Sequence, residues 1–138
     1  MRKIFVLLAV LVTAVALVAC GGGASEPSGP EPVSFTVKGF DEFKFDPADL
    51  TVQSGAEVTL TFENEGALEH SWVLVSGDAD PITVTDADAI AGISSGKVAG
   101  GESTTFTFTA PEAGTYTIVC TVPGHAAGGM VGKLTVNP

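Results

Sequence analysis

Three side chains able to hold a soft metal ion stand within eleven consecutive residues: Cys120-Thr-Val-Pro-Gly-His125-Ala-Ala-Gly-Gly-Met130. A second histidine, His70, lies upstream. The chain has only two histidines, and Met130 is its only methionine besides Met1. Two imidazoles and one thiolate in a trigonal set, with a long, weak thioether on the axis, is the arrangement proteins use for one-electron copper chemistry. Thiolate and thioether favour Cu(I), imidazole serves both oxidation states, and the mixture suits the couple between them. Zinc could occupy the same ligands but would carry no electron. Taken singly, a strand cysteine is usually a small buried hydrophobe and a methionine beside two glycines is usually filler. Besides Met1 no spare histidine or methionine exists in this chain, so the four residues are read together as a copper site.

The elements that must position these groups are strands. Val33, Phe35 and Val37 alternate with polar residues, and Leu50 and Val52 precede the turn at Ser54-Gly55. Val58, Leu60 and Phe62 alternate again; Trp72 and Leu74 follow His70; then come Phe106 and Phe108, Tyr116, Ile118 and Cys120, and finally Leu134 and Val136. Short period-two segments separated by Gly, Pro, Asn and Asp predict a small antiparallel β-sandwich or barrel. Residues 76–103 break the pattern. Asp86 to Ile93 is expected to form one short helix, capped by Thr85 or Asp86, in a long connection packed on the outside of the sheet. This reading puts Cys120 at a strand end, His125 and Met130 on the loop to the last strand, and His70 at the start of another. Ligands pinned in that way move little when the charge on a metal changes.

The run from Gly114 to Val136, GTYTIVCTVPGHAAGGMVGKLTV, resembles the C-terminal signature of the cupredoxins. Its spacing, four residues between Cys and His and four between His and Met, is most similar to the auracyanin, azurin-like type; plastocyanins have the shorter Cys-to-His loop. Phe45-Asp-Pro47, Leu50-Thr-Val52 with Gly55, and Val58-Thr-Leu60-Thr-Phe62-Glu-Asn64 follow the same pattern, so the resemblance covers roughly residues 43–136. It implies an all-β, cupredoxin-like Greek-key sandwich of about eight strands, one type 1 copper ion, and one-electron carriage. By the motif, His70 and His125 are equatorial nitrogen ligands, Cys120 the thiolate and Met130 the axial ligand. Many relatives have Asn directly after the first histidine, where it ties the two ligand loops together near the thiolate; here Ser71 takes that place and is expected to tune the site. Glu69 stands where azurins supply a distant axial carbonyl.

The N-terminus sets the expected compartment. Arg2 and Lys3 precede an apolar run from Ile4 to Val18, and Leu17-Val18-Ala19-Cys20 closes it. A basic start, a short apolar core and a small-residue exit form an export signal, too short for a comfortable membrane span. The Leu-Val-Ala-Cys ending resembles the bacterial lipoprotein box, which implies that residues 1–19 are removed and that Cys20 carries the lipid. Gly21 to Pro32 contains only Gly, Ala, Ser, Glu and Pro, a flexible linker with nothing to bury. The expected organisation is therefore a signal peptide over 1–19, a lipidated, flexible segment over 20–32, and a folded domain over 33–138. The expected location is the extracytoplasmic face of a bacterial membrane, periplasm or cell surface. With Cys20 lipidated, no disulfide is left for the domain.

The chain carries net charge −10; without Arg2 and Lys3, four lysines stand against sixteen acids, or −12. Such a domain is repelled by nucleic acid and by anionic headgroups and is steered towards basic partners. No charge falls between Thr121 and Gly132 apart from the histidine itself. This flat, small-residue surface around His125 is the expected docking face for redox partners such as c-type cytochromes or membrane respiratory or photosynthetic complexes, with the chain acting as a monomer. An enzyme is not expected, because multinuclear copper catalysis needs more histidines than two and a dinuclear centre a second cysteine in the domain. Copper storage or delivery is the alternative reading; it usually relies on exchangeable, methionine-rich sites.

Overall fold

The structure, a computed structural model, describes residues 29–138. The signal segment, Cys20 and most of the linker lie outside the described residues. Among the described residues nine strands form two sheets: β1 Val33–Phe40, β2 Lys44–Asp46, β3 Asp49–Gln53, β4 Glu57–Asn64, β5 His70–Val75, β6 Ser94–Val98, β7 Ser103–Thr109, β8 Gly114–Val119 and β9 Val131–Asn137. One sheet has the order β2-β1-β4-β7, the other β3-β9-β8-β5-β6. This is the expected all-β sandwich. All seven alternating segments read from the sequence are strands here; β2 and β6 are additional.

The sheets are mixed and not purely antiparallel. β1 runs parallel to β4, pairing Val33 with Val58 through Gly39 with Asn64, and β3 runs parallel to β9. The chain passes from β2 in one sheet to β3 in the other and back to β4. Strands that meet after such crossings are free of the antiparallel geometry that a hairpin imposes.

Alternation places one face of each strand in the interior. Val58, Leu60 and Phe62 of β4 are fully buried and pack with Val37, Leu50, Val52, Trp72, Leu74, Ile118, Leu134 and Val136. Each such aliphatic or aromatic side chain contributes roughly 1.5–3 kcal/mol by leaving water. Trp72 packs against Phe106 and Phe108, with ring centroids 5.9 and 6.2 Å away.

β5 is buried along its whole length, because both of its faces are covered. Trp72 and Leu74 face the main core. Val73 and Val75, one residue out of phase, join Val119 in a second cluster with Ala79, Val84, Ala89, Ala126 and Val131. The 76–103 connection thus does pack on the outside of the sheet. It does not form the expected single short helix. Asp86–Asp88 and Ile90–Gly92 are separate one-turn 3₁₀ segments, with Ala89 extended between them and Ala91 at φ 49°. Thr85 donates through its N–H and its hydroxyl to Asp88, which starts the first turn, but so few residues give no helix length to reward propagation. β6 follows directly. It had no alternation to reveal it, since of its five residues only Val98 is buried.

Candidate metal centre

Sheet order brings the sequence-predicted residues together. β5, β8 and β9 are neighbours, with Val73 opposite Val119 and Val119 opposite Val131. His70 opens β5, Cys120 directly follows β8, and Met130 directly precedes β9. Three of the four candidates therefore occupy adjacent strand ends at one pole of one sheet. The fourth, His125, sits on the loop between them. That loop is laced by its own backbone: Cys120 N–H donates to the Met130 carbonyl at 3.1 Å, His125 N–H to Val122 at 3.1 Å, Gly128 N–H to Gly124 at 3.0 Å and Met130 N–H to His125 at 3.0 Å.

His70, Cys120 and His125 offer ligand atoms that all lie within 4.8 Å of one another. The two Nδ1 atoms are 3.0 Å apart, and His125 Nδ1 lies 3.5 Å from Cys120 Sγ. Ions bound by imidazole at about 2.0 Å and thiolate at about 2.3 Å need donor atoms spaced roughly 3.3–3.7 Å apart; the His125–Cys120 pair stands in that range and the two imidazole nitrogens are slightly closer. Met130 is fully buried and joined to both Cys120 and His125 by backbone hydrogen bonds. His70, Cys120 and Met130 are 0–1% exposed, whereas His125 keeps 8%. Burial, and after it the neighbouring His70, holds the His125 imidazole below its ordinary pKa, with Asp41 opposing. A neutral imidazole is the form that binds a metal.

Two supports come from a turn whose role the sequence did not announce. Asp41 accepts from the Ala67 and Leu68 N–H groups at 2.8 and 3.1 Å, and these bonds hold its carboxyl below the usual range. The same carboxylate lies 3.1 Å from His70 Nε2. With the Nε2 proton given to Asp41, His70 Nδ1 is a bare lone pair facing His125 Nδ1. A carboxylate fixing the tautomer of a ligating histidine is the usual outer partner in metal sites. Two residues on, Phe43 sits at φ 55° with its ring 4.7 Å from that of His125. Gly128 makes room for it, since a Cβ there would come within 2.4 Å of the Phe43 ring. The only local signal for this pair was an aspartate and an aromatic in a short turn. Their targets are far away in sequence.

Ser71 does tie the ligand loops together. Its N–H points at Cys120 Sγ from 3.4 Å, its Oγ lies 3.8 Å from the same sulfur, and Oγ accepts the Thr121 N–H at 3.0 Å. Buried Asn64 braces the approach to β5, donating to the Leu68 and Val98 carbonyls at 2.8 Å and accepting from Gly66. Glu69, just before His70, is exposed.

Residues 32–137 match the family of copper binding proteins of the plastocyanin/azurin type. The chain belongs to that family. It is 38% identical to Auracyanin-A of Chloroflexus aurantiacus over 98% of this chain and 97% of that one. Among solved structures, a dithionite-reduced auracyanin of Roseiflexus castenholzii superposes with a TM-score of 0.68 at 32% identity, covering 80% of this chain and all of that one. Auracyanin A, described as a blue copper protein from a green thermophilic photosynthetic bacterium, gives 0.64 at 37% identity, covering 77% and 99%. This is a family of blue copper electron-transfer proteins, and the converging thiolate and imidazoles fit its cofactor, one type 1 copper ion.

Replacing Asp41 by Ala frees His70 Nε2 and is expected to lower copper affinity roughly 10–100-fold, measured by competition with a chelator. Affinity equal to that of the unaltered protein would show that Asp41 does not orient His70. The metal-free protein is also expected to lose stability as pH falls below about 6.5, the ordinary histidine value, because the unfolded chain then binds a proton that buried His125 resists. Urea titrations at pH 7.5 and 5.5 test this; equal midpoints would contradict it, and His125→Asn should shrink the difference.

Proposed function

We propose that this chain carries single electrons at the outer face of a bacterial membrane, tethered through Cys20. In this reading His70 Nδ1, His125 Nδ1 and Cys120 Sγ are the equatorial ligands of the copper and the Met130 thioether is the axial one. The observation that carries it is the convergence of three buried lone-pair donors at spacings of 3.0 and 3.5 Å. The bound ion supplies a one-electron couple. The protein holds its donors on paired strand ends and on a loop closed by its own hydrogen bonds, so little has to move as the charge changes.

His125 is the exit for the electron. It is the most exposed of the four, and Pro123, Gly124, Ala127, Gly128 and Gly129 around it are exposed and uncharged. A partner can approach there with little desolvation of charge. Redox proteins such as c-type cytochromes or respiratory or photosynthetic membrane complexes are the expected donors and acceptors. The acidic remainder of the domain steers basic partners towards it.

The tether also has a direction. β1 begins at Val33, opposite the start of β4, and reaches Gly39 only six residues later, about 20 Å along an extended strand. Gly39 is the end beside the centre, where an added Cβ would lie 3.2 Å from Met130 Cε. Chain entry and donor set therefore occupy opposite poles, so attachment through the N-terminus would leave the His125 face uncovered.

The copper-loaded protein is expected to show the intense thiolate-to-copper absorption band and narrow copper hyperfine splitting of a type 1 site. Cys120→Ser should lose the band while keeping the β-sheet circular dichroism. A band that survives that substitution overturns the ligand assignment. For the tether, Cys20→Ser should move the protein from the membrane to the soluble fraction of a lipoprotein-processing bacterial host. Equal partitioning of the two forms rejects lipid attachment at Cys20.

A further inference from the structure

Beyond the ligands, a line of hydroxyls leads from the thiolate to the surface. Ser71 Oγ lies 3.8 Å from Cys120 Sγ and 3.0 Å from Thr121 Oγ1. Thr121 Oγ1 donates in turn to Asp86 Oδ1, in the first 3₁₀ turn of the outer connection. Ser71 is fully buried, Thr121 partly so, and Asp86 is exposed.

Counting protons decides which way these bonds run. A carboxylate only accepts, and each hydroxyl has a single proton to give. Thr121 gives its proton to Asp86, so its oxygen is open to accept. Ser71 Oγ already accepts the Thr121 N–H. Its one proton has two possible destinations: an oxygen at 3.0 Å and a sulfur at 3.8 Å. The oxygen is nearer, at ordinary hydrogen-bond length, and cannot itself donate in the opposite direction. The thiolate is left with the Ser71 backbone N–H at 3.4 Å.

We propose that Asp86, acting through Thr121, holds the Ser71 hydroxyl proton away from the Cys120 sulfur and so keeps the reduction potential of the site lower than its ligands would otherwise set it. Hydrogen bonds to the cysteine sulfur are one of the protein's controls on the potential of such a centre. A donor at sulfur withdraws electron density from the thiolate, weakens its support of Cu(II) and favours Cu(I). Directing the donor elsewhere does the opposite. Asp86 and Thr121 are positioning residues here, and the inference rests on Cys120 being the copper thiolate.

Thr121→Val keeps the shape and the backbone N–H but removes the acceptor. Its Ser71 hydroxyl should turn to the sulfur. At a fixed ambient potential near the midpoint, the ratio of Cu(I) to Cu(II) should rise severalfold, up to about tenfold, which corresponds to ~59 mV for a one-electron couple. The thiolate-to-copper band should move to higher energy. In a Ser71→Ala background the same substitution should change neither quantity, because no proton is left to redirect. Thr121→Ser, which retains the hydroxyl, should keep the unaltered potential. Asp86→Ala on the exposed turn should raise the ratio more with Ser71 present than with Ser71→Ala, the remainder being the loss of a negative charge. A Thr121→Val shift that persists without the Ser71 hydroxyl, or no shift at all in a protein that is still blue, overturns the proposal. Absence of the blue band in the unaltered protein instead rejects the ligand reading on which it stands.

Discussion

Three lone-pair donors converging within 4.8 Å of one another, out of water, are the constraint on which this molecule turns. Two ring nitrogens 3.0 Å apart and a sulfur 3.5 Å from one of them set electron-rich atoms against each other with few protons between them. His70 has an outward claim on its proton at Asp41, and His125 is held below its ordinary pKa by burial. Such a group costs a protein the desolvation of its polar atoms, which their contacts with one another only partly offset. A cation of the right softness converts that cost into binding free energy. The sandwich has to be rigid enough to keep the donors converged in both charge states.

The rigidity comes from how few independent parts the centre has. β5, β8 and β9 are hydrogen-bonded neighbours, so their ends move together. The His125 loop is fixed to those ends by the bonds linking Cys120, His125 and Met130. The turn after β1 closes the remaining side: Asp41 grips both the 67–68 backbone and His70, and Phe43 lies against His125 and Gly128. A site clamped by backbone and by neighbouring aromatic packing offers little scope for rearrangement between Cu(I) and Cu(II), which is the condition for rapid one-electron exchange.

How much of this could be read from the chain follows from the range of each interaction. The alternating strands and the Cys-His-Met loop were legible because their signals are local, a period of two and a fixed spacing. His70 was legible because it was the only histidine left. Asp41 and Phe43 were not, since their partners lie far along the chain and their own turn has no distinctive motif. β6 was hidden because it pairs at a sheet edge with one buried residue, so burial never wrote an alternation into it. The expected helix at 86–93 failed for a related reason. Polar residues and a favourable cap can start a turn, but without a continuous apolar face nothing extended it.

The same difference in range changes the meaning of the charge-free run around His125. Read along the chain, residues 121–132 carry no acid or base beyond the histidine. In space, the 76–103 connection folds over the outer face of β5 and β8, and Asp86 reaches Thr121, the first residue after the thiolate. One edge of the neutral face is thus an acidic turn, and the side chains joining that turn to the sulfur are hydroxyls. The connection covers Val73, Val75 and Val119 for stability and at the same time places a carboxylate two hydrogen bonds from Ser71, the residue that stands where many relatives have asparagine. An amide there brings its own two donors, whereas a serine has a single proton whose direction its neighbours decide. Exchanging one for the other therefore moves part of the control of the thiolate from the ligand loops to the outer connection.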